Sequence, residues 1–328
     1  MEIEKDTAAT AEGCAPERAK SRFGNRMRKG FKKFGRQWEL QTMVLPWLFV
    51  IFVFCYLPMF GIVIAFKDFR FNLGIWGSPW CGLQNFVELF QDKSFFLAIR
   101  NTLAINLLKL VFSFPLPIIF TILLNEMRVV WLKKTAQTLS YLPHFVSWVI
   151  VAGIFGNMFA MDGLINAILQ GLHITSGPVQ FMAEQWFFWP LMVITGVWKE
   201  TGWNAIIYIA ALGNVNPELY EAADVDGAGR WAKIWHVTLP AMLPTIRISL
   251  LFTLAGLFNA GFDQIYLFQN DLTMDVSEVI DTYVYRYGLS RGLYSFAGAA
   301  GLVQSVVNFA IILTANFISK KLSGSGLF

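Results

Sequence analysis

The chain has 328 residues, of which 55% are hydrophobic and 15% are charged, and its formal net charge is +4. Soluble domains carry about 45–50% apolar and ~25% charged residues, so this composition excludes an ordinary soluble protein and indicates an integral membrane protein. The three cysteines are dispersed and no zinc-binding spacing occurs, so neither an internal disulfide nor a metal site is predicted.

Residues 1–39 are predicted to form a basic cytoplasmic segment before the first apolar run. Residues 1–17 are small and polar, which predicts disorder. Residues 18–36 interleave basic residues with phenylalanines, and two interpretations stay open: an amphipathic helix on the membrane surface, or a positively charged flank of the first span. The segment lacks the apolar core of a cleavable signal peptide, so the first span is predicted to be retained.

Six apolar stretches reach the ~20 residues that a bilayer span requires. They predict an all-α membrane domain over residues 40–320, followed by a short cytoplasmic tail at 321–328. The predicted spans are Val44–Phe66, Ala98–Leu124, Tyr141–Ala160, Trp186–Leu212, Thr245–Phe268 and Ser295–Ile318.

The distribution of positive charge predicts the orientation of these spans. With a cytoplasmic N-terminus, 18 of the 26 Lys and Arg residues fall inside and five fall in outside loops. Both termini are therefore predicted to be cytoplasmic, and the net charge reflects topology rather than nucleic-acid binding. On the outside, Trp76 and Trp80 either contact a docking protein or anchor the chain at the membrane interface. The long polar loop 269–294 is predicted to be a docking surface.

The second and fourth spans carry residues that disturb a regular membrane helix. Pro115 and Pro117 predict a kink in the second span. Charges at Lys199 and Glu200 are unfavourable within a span unless they are paired or face a cavity. Gly202 predicts a helix break beside them, and two interpretations compete: a discontinuity near a transport pathway, or structural pairing against neighbouring helices. Asn204 follows in the same polar interruption and is also a candidate pathway residue.

The fifth predicted span contains Asn259, Asp263, Gln264 and Tyr266. Asn259 and Asp263 are four residues apart, which predicts that they share one helix face. Amide and carboxylate groups near aromatic rings suit a sugar, because hydroxyls bond to the polar groups and apolar sugar faces stack on the rings. The alternative is interhelical hydrogen bonding that only stabilises the bundle.

The polar segment 216–244 separates the fourth and fifth spans and is predicted to form two short cytoplasmic helices. Asn216 and Pro217 suit the cap and first position of a helix. Gly227 is predicted to end that helix, and a second helix is predicted from about Arg230, ending at Pro240. The segment contains Glu221-Ala222-Ala223, three residues, Gly227, nine residues, Val237, one residue, and Leu239-Pro240.

This spacing resembles the EAA loop of the permease subunits of ABC importers, with Val237 where that family has Ile. The resemblance implies that these seven residues contact a separate ATPase, transmit its movement and perform no bond chemistry. Further segments resemble the LplB-type branch of the maltose-transporter-like permeases, which serves uptake of oligosaccharides and polysaccharide breakdown products. They are FPLPI at 114–118, LLNE at 123–126 and YLPHFVSW at 141–148.

The resemblance implies a non-catalytic subunit of the bacterial inner membrane, in contact with lipid and with carbohydrate cargo. Its implied partners are a second, similar permease, an ABC ATPase dimer and an extracytoplasmic solute-binding protein. The chain has no GxxxxGK[ST] loop, so no cofactor is predicted on it, and ATP and magnesium would belong to the ATPase. A non-sugar small solute remains an alternative cargo. An ion-coupled secondary transporter using Lys199, Glu200 and Asp263 is the rival, although no inverted repeat is evident.

Overall fold

The computed structural model describes residues 38–323, apart from the side chains at positions 318, 319, 322 and 323. Within this part the regular structure is helical, and the β-contact present is an isolated antiparallel bridge between Lys67 and Trp80. The predicted all-α fold is confirmed. Of the predicted terminal segments, nearly all of 1–39 and most of 321–328 lie outside the described residues.

The chain divides into two compact units, Met1–Gly61 and Ile62–Phe328. The longer helices are α1 (Trp38–Phe66), α2 (Gln84–Gln91), α3 (Lys93–Phe112), α4 (Pro115–Glu126), α5 (Val130–Tyr141), α6 (Trp148–Met158), α7 (Leu164–Gly171), α8 (Gln185–Gly213), α9 (Pro217–Val225), α10 (Arg230–Ala255), α11 (Phe262–Phe268), α12 (Ile280–Tyr285) and α13 (Tyr294–Ser323). Helix α1 includes π and 3-10 turns in its second half, and α10 includes a π turn near its start.

Short helical turns connect these helices. They are Gly74–Gly77, Leu142–Phe145, Phe181–Ala183, Met274–Ser277 and Arg286–Ser290.

Among the described residues, four helical segments are long and apolar enough to cross a membrane: α1, α3 together with α4, α10, and α13. A fifth is present if Val130–Phe145 and α6, which meet at an angle of 102°, form one bent span. Helix α8 has 29 residues, but its hydropathy is too low for it to be counted with the others. The predicted spans fall on helical segments, but the second, third and fifth are interrupted within their bounds, and the number six remains a prediction.

Two buried apolar clusters hold the second unit together. One surrounds the first half of α8, where Phe187, Phe188, Leu191 and Met192 recur at helical spacing. It includes Val151 and Phe155 of α6, Ile105 of α3, and Ile265 and Phe268 of α11. The other packs α13 against α2, α3 and α12, where small residues permit close approach. Its members are Ala65, Leu89, Phe95, Ala98, Phe258, Ile280, Tyr283, Ala299 and Ala300.

The break predicted at Gly202 does not occur, because α8 is a continuous helix across that position. A Cβ on Gly202 would lie 2.0 Å from the carbonyl oxygen of Ser140 in α5. This glycine therefore allows two helix backbones to touch. The break lies instead in the third predicted span, where Leu142–Phe145 separates α5 from α6.

The fifth predicted span, Thr245–Phe268, is also corrected. Pro240 does not end the second coupling helix, because it lies in the first turn of Leu239–Ala255, a position that tolerates proline. The helix then stops at Ala255, and residues 256–261 form a non-helical break before α11.

The prolines of the second span lie where the helix resumes after an interruption. Helix α3 ends at Phe112, Ser113 and Phe114 form a turn, and Pro115 and Pro117 occupy the first turn of α4. Proline lacks an N–H and is tolerated at that position, so the sequence places the discontinuity at residues 113–114.

Candidate functional site

The coupling segment forms the two helices that its sequence predicts. The side chain of Asn216 accepts a hydrogen bond from the backbone N–H of Glu218 at 3.1 Å, which caps α9 as expected. Gly227 lies in the turn that follows α9, and its φ of 72° is a conformation that favours glycine. The hydroxyls of Tyr220 and Thr238 lie 3.1 Å apart and join α9 to α10.

The residues of the EAA-like pattern are all exposed or partly buried. Glu221 and Ala222 are exposed on α9, and Ala223 is partly buried beside them. Val237 lies in the π turn of α10, and Leu239 and Pro240 begin the regular helix that follows. The N-terminal part of α10 is held to α9 by an ion pair between Lys233 and Asp224.

Two cavities lie between the helices of the second unit. The first has a volume of about 690 Å³ and is bounded by α3, α4, α8 and α10. Its lining residues are Lys109, Ser113, Phe114, Pro117, Trp203, Asn204, Ile206, Ile207, Tyr208, Ala210, Ser249, Phe252 and Thr253.

The second cavity has a volume of about 330 Å³ and shares Lys109, Ser113 and Asn204 with the first. Its wall also contains the end of the 256–261 break and the start of α11. Its remaining lining residues are Trp148, Gly196, Glu200, Ala260, Gly261, Phe262, Asp263 and Gln264.

Lys199 serves the bend in the third span and lines neither cavity. Its Nζ donates to the carbonyl oxygens of Pro143, His144 and Val146 at 3.2, 2.5 and 2.7 Å. These carbonyls lie where the chain leaves the helix, so a buried cation satisfies them in place of backbone N–H groups. These contacts are of the kind that the structural interpretation of Lys199 describes, whereas its neighbour Glu200 lines the second cavity.

His144 links the same bend to the cavity wall. Its Nδ1 lies 2.8 Å from Oε2 of Glu200, and its ring stacks on the indole of Trp203 with centroids 4.2 Å apart. Trp203 in turn lines the first cavity. The bend therefore contacts a carboxylate in the wall of the second cavity and an aromatic ring in the wall of the first.

Side chains of neighbouring helices donate hydrogen bonds to the backbone of the break at residues 256–261. From α3, Asn106 donates to the carbonyl of Leu257 at 2.7 Å and Lys109 donates to that of Ala260 at 2.9 Å. From α13, Gln304 donates to the carbonyl of Phe258 at 2.7 Å. Side chains thus satisfy backbone groups that the missing helical turn leaves free.

Both polar atoms of the Gln264 side chain form hydrogen bonds. Its Oε1 accepts from Nζ of Lys109 at 2.8 Å, and its Nε2 donates to the carbonyl of Met192 and to Oγ1 of Thr195, each at 2.8 Å. An amide with these three partners joins α3, α8 and α11. Its contacts match the bundle-stabilising alternative.

The predicted pathway residues separate into two groups. Asn204, Asp263 and Gln264 line the second cavity, whereas Asn259 and Tyr266 line neither. Asn259 and Asp263 do not share a helix face, because Asn259 lies in the break and Asp263 in the first turn of α11. The prediction of one face assumed an unbroken helix.

Lys109, Ser113 and Trp203 were not predicted as pathway residues, although they line the first cavity. A signal was available for Lys109: it is a cation well inside an apolar span, and such residues mark pathways. Nothing in the local sequence distinguishes Ser113 or Trp203, since their positions depend on helices distant in the chain.

The region 269–294, predicted as a polar docking loop, is largely helical, and the carboxylates of Glu278 and Asp281 accept hydrogen bonds. Glu278 is buried and accepts two hydrogen bonds from Arg286, at 2.6 and 2.5 Å. Burial raises the pKa of Glu278 although Arg286 acts against the shift. Tyr283 donates to Asp92, the cap of α3, at 2.6 Å. Burial alone would raise the pKa of Asp92, but hydrogen bonds from Tyr283 and Ser94 lower it overall.

A family profile described as "Binding-protein-dependent transport system inner membrane component" matches residues 113–324, which include α4, α8, the coupling segment and α10. The chain belongs to this family. The resemblance drawn from the EAA-like spacing is confirmed, and membership makes the chain a membrane-integral permease subunit.

Relatives of known designation support this placement. The Bacillus subtilis protein LplB is 44% identical over 88% of this chain and 91% of its own length. The B. subtilis polygalacturonan/rhamnogalacturonan transport system permease protein YteP is 40% identical over 97% of this chain and 99% of its own. A chain of a bacterial ABC transporter that imports the acidic polysaccharide alginate superposes with a TM-score of 0.84 at 38% identity, covering 90% of this chain and 99% of its own.

A second similar structure is of a bacterial alginate ABC transporter in complex with a periplasmic protein that carries an alginate pentasaccharide. Its matching chain has a TM-score of 0.83 and 38% identity, and again covers 90% of this chain and 99% of its own. A structural neighbour of this permease therefore works together with an extracytoplasmic binding protein.

Proposed function

We propose that the protein is the membrane-spanning permease subunit of an ATP-driven, binding-protein-dependent importer of carbohydrate. Its cargo would be an oligosaccharide or a breakdown product of a polysaccharide. The two cavities would form this subunit's part of the translocation pathway, with access alternating between the two sides of the membrane.

One observation carries the proposal: a single helix joins the coupling segment to the cavity wall. Helix α10 begins at Arg230, inside the EAA-like pattern, and continues to Ala255. Ser249, Phe252 and Thr253 near its end line the first cavity. A displacement imposed on the coupling segment therefore reaches the cavity through one helix, which is what an importer driven by a separate ATPase requires.

The carbohydrate assignment is supported by the chemistry of the first cavity and by the relatives. Trp203 and Phe252 offer apolar surfaces for sugar faces, and Asn204, Ser249 and Thr253 offer hydroxyl and amide groups for sugar hydroxyls. The relatives named above include permeases for polygalacturonan and rhamnogalacturonan and for alginate.

The proposed assembly contains a second homologous permease, an ABC ATPase dimer and an extracytoplasmic solute-binding protein. Glu221, Ala222, Ala223 and Gly227 would contact the ATPase, which would hold the ATP and magnesium. Both termini would be cytoplasmic in the bacterial inner membrane. The concentration of Lys and Arg in the segments that this orientation places inside supports it.

Uptake by the complete importer in proteoliposomes tests the proposal. Uptake of a carbohydrate should require the binding protein and ATP on the ATPase side, and a collapsed ion gradient should leave it unchanged. Uptake that an ion gradient drives without ATP would refute the proposal and favour an ion-coupled secondary transporter, for which Glu200 and Asp263 in the second cavity are available.

A further inference from the structure

Lys109 is a cation in the last turn of α3, and no carboxylate of the described residues forms an ion pair with it, although the charge of Glu200 acts on it from a greater distance. Its Nζ donates to two neutral acceptors, the carbonyl of Ala260 and Oε1 of Gln264. It forms no ion pair with any carboxylate of residues 38–323. A protonated lysine has three N–H donors, so one donor remains. Charges within spans usually pair or line a pathway, and this one lines both cavities.

Two further donors lie on the same shared wall. Ser113 follows Lys109 by four residues and so lies on the same side of the helix. Its Oγ is buried without a hydrogen-bond partner among the described residues. Asn204 faces the two cavities from α8, and its side-chain amide is exposed. A buried hydroxyl without a partner is unfavourable, so Ser113 favours a ligand that accepts a hydrogen bond from its hydroxyl.

The charge balance of the first cavity is positive. Lys109 is the one charged residue among those that line it. The carboxylates of Glu200 and Asp263 line only the second cavity, and Glu200 is already engaged by His144 at 2.8 Å and by Lys199 at 3.9 Å. A low-dielectric cavity whose one charged lining residue is a cation attracts an anionic group.

We propose that Lys109, Ser113 and Asn204 form a carboxylate-binding subsite, so that the cargo is an acidic oligosaccharide built from uronic acid units. The carboxylate oxygens would accept from Nζ, Oγ and Nδ2, and the sugar ring would lie against Trp203, which lines the same cavity. This inference rests on the proposed carbohydrate function and adds the charge of the cargo.

Equilibrium binding to the purified importer, measured without the binding protein, tests the subsite. The probes are the trimers of galacturonate and of mannuronate, each compared with its methyl ester, which keeps the sugar and removes the charge. Wild-type protein should bind an acid trimer about tenfold more tightly than the ester, which corresponds to ~1.4 kcal/mol. Lys109→Gln should remove that preference, because it deletes the charge-assisted bonds to the carboxylate. Since it also deletes the bonds to Ala260 and Gln264, the ratio of acid to ester affinity is the readout.

Three further variants complete the test. Lys109→Arg should retain preference for the acid, since it keeps the charge. Ser113→Ala should reduce acid binding several-fold and leave the ester unaffected. Lys93→Gln, the matched control, removes an exposed lysine at the outer end of the same helix and should change neither affinity.

Several results would overturn the subsite. Equal binding of acid and ester by wild-type protein would do so, as would failure of both acid trimers to bind. Equal weakening of acid and ester by Lys109→Gln would show that Lys109 only holds Ala260 and Gln264. If that variant does not assemble, the wild-type comparison and Ser113→Ala decide. ATP-driven uptake of the ester without preference for the acid would overturn the subsite alone, whereas absence of ATP-driven uptake of any carbohydrate would overturn the proposed function itself.

Discussion

Gly202→Ala should separate two helices that now touch through their backbones. The new Cβ would lie 2.0 Å from the carbonyl oxygen and 2.4 Å from the carbonyl carbon of Ser140. Carbon–oxygen contacts normally lie at about 3.3–3.6 Å, so α5 would have to retreat by about 1.3 Å. Both atoms belong to the backbone, so no side-chain rotation can relieve the overlap.

The magnitude follows from two opposing effects. Overpacking of this kind lowers the free energy of unfolding by about 1–3 kcal/mol, and a backbone clash belongs at the upper end of that range. Alanine in place of glycine inside a helix recovers about 0.5–1 kcal/mol. The net loss should be about 2 kcal/mol.

The assay is unfolding of the purified protein in detergent, followed by circular dichroism. Gly213→Ala is the matched control, because Gly213 lies in the same helix and a Cβ there meets no atom within 4 Å. That variant should be neutral or slightly more stable than wild type. Equal stability of the two variants would refute the close approach of α5 and α8.

Three other predictions concern charge, coupling and pH. Lys199→Met should lower the free energy of unfolding by about 2–5 kcal/mol, because three carbonyls at the bend lose their donor. The control Lys93→Met should change it by less than about 0.5 kcal/mol. Equal effects would contradict the stabilisation of the bend by Lys199. Gly227→Asp should lower ATPase association and uptake, because position 227 requires φ of 72°, whereas Gly229→Asp, at φ of −69°, should retain more of both in a pull-down assay; the reverse order would refute the turn. The Asp92 pKa lies below its ordinary value of 3.8, so the ionised carboxylate stabilises the fold above that pH. This contribution disappears as pH falls through the folded-state pKa. Asp92→Asn should therefore flatten the curve of stability against pH in acid, and an unchanged curve would exclude the effect.

The sequence predicts the helices better than their interruptions. Hydropathy locates every apolar segment, because lipid requires long helices that satisfy their own hydrogen bonds. Interruptions depend on partners far away in the chain. The break at 256–261 is held by Asn106, Lys109 and Gln304, and no local pattern connects those residues to it. Gly202 was predicted to break a helix because a packing glycine and a breaking glycine look alike in sequence.

The candidate site divides along the same line. The coupling segment is local, and its cap, turn and helices follow from residues within 25 positions of one another. The cavity walls are not local, because Lys109 and Gln264 meet across 155 positions. Asn259 and Asp263 were paired by counting along a helix that in fact stops at Ala255. Residues that depend on tertiary contacts require the structure.

Helix α10 has a mechanical consequence that follows from where it stops. Its 26 residues form a rod about 39 Å long, and the break at residues 256–261 ends that rod between the two cavities. A tilt applied at Arg230 moves the wall of the first cavity at Ser249 and Thr253. The second cavity takes part of its wall from the end of the break and the start of α11. The carbonyls of Leu257, Phe258 and Ala260 in the break accept hydrogen bonds from side chains of α3 and α13. A tilt of α10 can therefore move its own side of the first cavity while the break stays bonded to α3 and α13.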